Sequence, residues 1–225
     1  MSVLYPQNFV PPQSSRVRFL IIHHTAEDSA SSLSTLTRPN GAVSVHYLVD
    51  VDGKIYSLVP ETQKAWHAGV SSWGKYYDLN VSSIGIEIVN LDGNKYPYPP
   101  EQIASVKELC LDIMKRHGIA QHHVLGHSDI TPSRKIDPGF LFPWKDFSLL
   151  GIGMWQDENL DLNITTDNLQ SSVMQNLVTI GYEMTDFNAT LTAFRRHFNA
   201  SDIQNSEVTK KDYAITQSLI KKWYS

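Results

Sequence analysis

The chain has 225 residues, 41% of them apolar, and a formal charge of −4 from 19 basic and 23 acidic side chains. That excludes disordered and fibrous classes, holds one ordinary domain with room for a small appendage, and, with no long basic run, argues against a nucleic-acid partner. One cysteine against nine histidines excludes a disulfide framework and a cysteine-rich zinc finger, so any transition-metal site must be mostly imidazole and carboxylate.

Residues 1–15 carry three prolines and little pattern, and read as an extended arm. They lack the basic and apolar regions of an export signal, so the chain either stays inside the cell or has had a signal removed. Residues 16–22 (RVRFLII) are β-branched and apolar and predict a buried strand ending at His23. Residues 26–42 read as loop or short helix. Residues 43–49 alternate, Asp52-Gly53 supplies a tight turn, and residues 54–59 return, which predicts a hairpin. Residues 61–80 read as irregular.

Residues 83–89 (SIGIEIV) predict another strand, with Glu87 inside it. Residues 101–117 predict a helix. Its apolar stripe runs through Ile103, Val106, Cys110, Ile113 and Met114, with Pro100 at the start and Gly118 past the end. Residues 123–126 predict a short strand delivering His127, and residues 128–143 a loop. Beyond Trp144 come three helical stripes: Leu169, Val173, Leu177, Ile180; then Phe187, Leu191, Phe194, Phe198; then Ile215, Leu219, Trp223. They predict a small three-helix unit over about residues 160–225. No stretch approaches the roughly 20 apolar residues of a membrane helix.

Three features carry chemistry. His23-His24 closes a buried strand, where rigid scaffolds present functional groups, though a strand-end histidine can also be merely hydrogen-bonded. The segment GHSDITPSRKIDPGFLFPW holds His127, Lys135 and Asp137 in one loop stiffened by Pro132, Pro138 and Pro143. Glu87 is a carboxylate in an apolar strand and needs a partner, a cavity or a solvated face. Strand alternation admits any of these. His23, His127 and Asp137 together would make a two-histidine, one-carboxylate zinc site with a fourth position for water. Glu87 would then move protons, and Lys135 would stabilise the oxyanion of a cleaved amide.

The motifs IIHHTA, SVHYLVD, AWHAG, SIGIEI and GHSDITPSRKIDPGFLFPW, in that order over residues 16–150, resemble the zinc-dependent N-acetylmuramoyl-L-alanine amidases of the AmpD/AmiD type. Phage T7-type lysozyme and the peptidoglycan recognition proteins share that superfamily. The resemblance implies an α/β (α+β) fold, a mixed central β-sheet flanked by helices, over residues 16–155. It implies one zinc ion held by His23, His127 and Asp137, with Glu87 and Lys135 as catalytic groups. Asp137 stands where the recognition proteins have cysteine, which sides with the bacterial amidases. His46 and His67 match positions lining the substrate cleft; Tyr47 and Trp66 are further candidates, with packing as the alternative for each. His117, His122, His123 and His197 are expected to be bystanders.

The implied substrate is peptidoglycan or a muropeptide, cleaved between N-acetylmuramic acid and L-alanine. The alternative is a peptidoglycan-binding module without catalysis. Residues 160–225 resemble the three-helix peptidoglycan-binding-like domain of AmiD-type enzymes, with a packing appendage as the other reading. The family points to the cell envelope; with no lipidation cysteine visible, the cytoplasm is the alternative. Nothing demands more than a monomer.

Overall fold

The computed structural model describes residues 2–3, 13, 16–39 and 41–224. Most of the proline-bearing arm of residues 1–15 lies outside the described residues.

In chain order the elements are β1 (Ser2–Val3), β2 (Phe19–His24), α1 (Ser29–Leu36), β3 (Tyr47–Val49), β4 (Ile55–Ser57), β5 (Ser72–Trp73), β6 (Tyr76–Tyr77), β7 (Ser83–Ile88), α2 (Pro100–His117), β8 (Val124–Gly126), α3 (His127–Ile130), α4 (Trp144–Ser148), α5 (Leu169–Ile180), α6 (Phe187–Phe198) and α7 (Lys210–Trp223). A six-stranded sheet has the order β1-β4-β3-β7-β2-β8. Among the described residues only its β3–β4 pair is antiparallel, so the sheet is mixed, as expected. In the hairpin between them Gly53 has φ +81°, and a Cβ there would lie 2.7 Å from the Glu101 carbonyl oxygen, so only glycine fits.

The strands are apolar on both sides because both faces are covered. Leu20, Ile22, Ile84, Ile86 and Ile88 pack on one face with Val106, Cys110 and Ile113 of α2. α2 begins with proline in its first turn and ends at Gly118 in the left-handed conformation, while Lys115, Arg116 and His117 complement its C-terminal dipole. On the other face Phe19, Ile21 and Leu125 pack under Val173, Leu177, Phe194 and Ile215 of α5, α6 and α7. Each fully buried side chain of this size contributes roughly 1.5–3 kcal/mol.

The three C-terminal stripes are the buried faces of α5, α6 and α7, and their apolar side chains share a core with the sheet. Periodicity carries the helices but not what they pack on. α6 and α7 are tied by the buried Arg195–Asp212 ion pair, 2.6 Å between Nη2 and Oδ2, and Asp212 also caps the first turn of α7 through Thr209. Two short elements lie in stretches expected to be irregular: the β5–β6 hairpin, and α3, a four-residue turn too short to show a helical period. The hairpin reaches the helical part, where Gly74 N–H donates to the Gly181 carbonyl at 2.7 Å. Among the described residues no helix is long and apolar enough to cross a membrane.

Candidate active site

The site lies on the face opposite α2, at the C-terminal ends of the parallel strands, where open α/β sheets present functional groups. His23 in β2 is in register with Glu87 in β7. Both share the pleat of Phe19 and Ile21, so both side chains project from that face. β8 ends at Gly126, and His127 opens α3 directly after it. Asp137 arrives on the following loop, whose backbone is held by Ser128 N–H donating to the Asp137 carbonyl at 2.9 Å. Gly93 lets the loop lie close, since a Cβ there would stand 1.9 Å from the Pro138 carbonyl oxygen.

The three side chains meet. His23 Nδ1 lies 2.9 Å from His127 Nδ1 and 3.1 Å from Asp137 Oδ2, and His127 Nδ1 lies 2.9 Å from the same oxygen. Proton counting explains why. Ser83 O–H donates to the Leu79 carbonyl at 2.5 Å, so its oxygen accepts from His67 Nε2–H at 3.2 Å. His67 Nδ1 is then a bare acceptor and takes the His23 Nε2–H at 3.0 Å. That leaves the His23 Nδ1 lone pair facing the site. His127 Nε2–H donates to the Ala68 carbonyl at 3.3 Å, which bares its Nδ1 in the same way. Two lone pairs and a carboxylate oxygen converge with no proton between them, an arrangement that a cation satisfies. Tetrahedral zinc bound at about 2.0–2.1 Å would set such atoms about 3.3 Å apart, close to these distances.

Electrostatics agree with that reading. Burial and the neighbouring His127 push His23 down to about 4, so it is neutral near pH 7. Burial opposes the charge on Asp137, but His127 and His23 hold its carboxyl well below the usual range. Burial and the nearby Asp137 push Glu87 up to about 8, against the pull of Lys135. The Glu87 Oε2 is enclosed and has no hydrogen-bond partner among the described residues. Glu87, Lys135, His127 and Asp137 line a cleft of about 330 Å³, and His23 is buried beside them.

The other sequence candidates fall in different places. Trp66 lies in the cleft wall, 43% exposed, with the Lys64 ammonium 3.7 Å from its ring centre. His67 also borders the cleft, but both ring nitrogens are engaged in orienting His23. Its ring lies over Gly85, where a Cβ would stand 2.6 Å away, so β7 needs glycine there. His46 and Tyr47 do not line the cleft, which corrects their expected place. His46 is 0% exposed; its Nε2–H donates to the Gln63 carbonyl and its Nδ1 accepts from Gly85 N–H, each at 3.0 Å. Tyr47 packs in the α2-side core and donates its hydroxyl to Glu61 at 2.8 Å. His24 also lines the cleft but is not one of the trio, and its Nδ1 accepts from Ala26 N–H at 3.2 Å.

His197 is not a surface bystander: it is 4% exposed and its Nδ1 lies 2.7 Å from Asp129 Oδ2. Sequence reasoning passed over Asp129. Its position two residues after His127, inside the GHSDITP motif, was the available signal.

A family model described as N-acetylmuramoyl-L-alanine amidase matches residues 13–140. The chain is 37% identical to N-acetylmuramoyl-L-alanine amidase AmiD of Escherichia coli K12, over 92% of this chain and 84% of that protein. The solved complex of that AmiD with anhydro-N-acetylmuramic acid-L-Ala-D-γ-Glu-L-Lys superposes with a TM-score of 0.83, covering 93% of this chain and 90% of that one. AmpDh3 of Pseudomonas aeruginosa, in complex with anhydromuramic pentapeptide, gives 0.84 at 32% identity, covering 94% of each chain. The 1,6-anhydro-N-acetylmuramyl-L-alanine amidase AmpD of Haemophilus influenzae is 40% identical over 47% of this chain and 56% of its own length. With the family model spanning more than half its length, and AmiD most of it, this chain belongs to the N-acetylmuramoyl-L-alanine amidase family.

Proposed function

We propose that this chain hydrolyses the amide bond between the lactyl group of N-acetylmuramic acid and L-alanine in peptidoglycan or its muropeptide fragments. His23 Nδ1, His127 Nδ1 and Asp137 Oδ2 would hold one zinc ion. The donor set of two imidazole nitrogens and one carboxylate oxygen suits zinc. When bound, zinc supplies Lewis-acid polarisation of water and of the amide carbonyl.

The protein's own groups do the rest. Glu87, beside the trio, takes the proton of the attacking water and returns it to the departing alanine nitrogen. Its enclosed Oε2, without a hydrogen-bond partner among the described residues, is free to take and return that proton. The Lys135 ammonium, at the cleft rim, stabilises negative charge growing on the carbonyl oxygen. The walls beside them position the muropeptide, and Trp66 offers an aromatic surface for sugar or peptide. The hydrogen-bond chain from Leu79 through Ser83 and His67 fixes the tautomer and orientation of His23.

One observation carries this reading: three metal-ligating atoms that converge beside a cleft also lined by Glu87, whose enclosed Oε2 has no hydrogen-bond partner among the described residues. Mass spectrometry of a defined muropeptide after incubation tests it. Free stem peptide and intact muramyl sugar are expected, formation stopping with a chelator and resuming with zinc. Undiminished release after complete metal removal would overturn the mechanism.

A further inference from the structure

Asp129 is almost wholly buried and carries a carboxylate, which only accepts hydrogen bonds. Three donors converge on it. Gly126 N–H, from the residue before His127, donates to Oδ2 at 2.7 Å. Tyr182 O–H, from the segment after α5, donates to Oδ1 at 2.6 Å. His197 Nδ1–H, from α6, donates to Oδ2 at 2.7 Å. The His197 ring is stacked between Trp144, centroids 4.0 Å apart at 17°, and Phe198, 3.9 Å at 6°, so its donor direction is fixed. Two of the three hydrogen bonds thus come from the C-terminal helical part.

Asp129 sits in the same four-residue turn as His127, and the next residue after His127 in that turn, Ser128, holds the Asp137 carbonyl. The turn therefore links two of the three side chains of the trio. Whatever sets its orientation sets how both of them meet His23 of β2.

We propose that Asp129, Tyr182 and His197 form a clamp by which the C-terminal helices position the turn bearing His127, so that these helices are part of the metal site. Tyr182 and His197 are positioning residues in this scheme: neither touches the trio, and each acts through Asp129. The inference rests on the zinc reading above and extends it to residues 182 and 197. Fixing the groups behind a metal ligand commonly sets affinity 10- to 100-fold.

The test compares zinc affinity with stability in the full chain. Zinc dissociation constants are measured by competition with a colorimetric chelator for the native protein, Tyr182→Phe, His197→Gln and Ile215→Val. Melting temperatures of the metal-free forms are recorded alongside. Tyr182→Phe removes only the hydroxyl and so preserves the fold if His197→Gln does not. Ile215→Val thins the same helical core without touching the clamp. The expected result is a loss of zinc affinity of about ten-fold in both clamp variants and none in Ile215→Val. Native affinity in a folded Tyr182→Phe protein, or an equal loss in Ile215→Val, overturns the clamp. Failure of the native chain to bind zinc overturns both the clamp and the zinc reading, which separates the two failures.

Discussion

The two faces of the central sheet come from the same strands and differ in kind. On the α2 side, Leu20, Ile22, Ile84, Ile86 and Ile88 meet one long amphipathic helix, and the contact is closed and apolar. On the opposite side the apolar cover is split. Leu36 of α1 packs with Leu48, Tyr56 and Leu58 in one cluster, and Phe19, Ile21 and Leu125 lie under the C-terminal helices in another. His23, Glu87, His127 and Asp137 belong to that divided side. One face stores stability, and the other trades apolar contact for an open cleft with convergent polar atoms. Because side chains alternate along a strand, neighbours take different places: His23 meets His127 and Asp137, while His24 borders the cleft outside the trio.

The contrast can be broken most sharply at Glu87. Glu87→Ala should keep zinc but lose about 10²- to 10⁴-fold in kcat, because proton transfer goes and ligation stays. Near-native turnover at full zinc content would remove Glu87 from the mechanism. The reverse pattern belongs to the α2 face. Ile113→Ala, fully buried there, should cost about 2–5 kcal/mol by thermal or urea unfolding while leaving turnover below the melting temperature unchanged.

A pH series separates buried histidines from the cleft. Burial pushes His46 down to about 4 from an ordinary 6.5, so its contribution to stability is present above 6.5 and lost as pH falls toward 4. The loss is at most about 3 kcal/mol, read from urea midpoints across that range, and should shrink in His46→Gln. An unchanged pH slope would mean that His46 is not held neutral by burial. The last prediction concerns His67, which borders the cleft yet is assigned to orienting His23. His67→Phe should weaken zinc binding about 10- to 100-fold. A rise in KM at native zinc affinity would make it a substrate contact instead.

Much of this was legible in the sequence, for physical reasons. Strands buried on both faces read as unbroken apolar runs, so β2 and β7 stand out, and a carboxylate inside one is conspicuous. The 3.6-residue stripes mark α2 and α5 to α7. The roles of His46, His67 and His197 were not legible. They depend on which ring nitrogen meets which partner, and those partners lie distant in sequence: Gly85 for His46, His23 for His67, Asp129 for His197. Tyr47 misled because a strand enclosed on both sides gives no sign of which face meets the cleft. The packing of the C-terminal helices on Phe19 and Ile21 was equally hidden, since a stripe declares a buried face and not its partner.

On the proposed mechanism His23, His127 and Asp137 hold the zinc on which amide hydrolysis depends. Metal analysis and turnover on a muropeptide, measured on the same preparations of the native chain and Asp137→Ala, test it most directly. One equivalent of zinc in the native chain, strongly reduced zinc in the variant, and turnover that follows zinc content are predicted. A full equivalent retained in folded Asp137→Ala, or native turnover without metal, would contradict it.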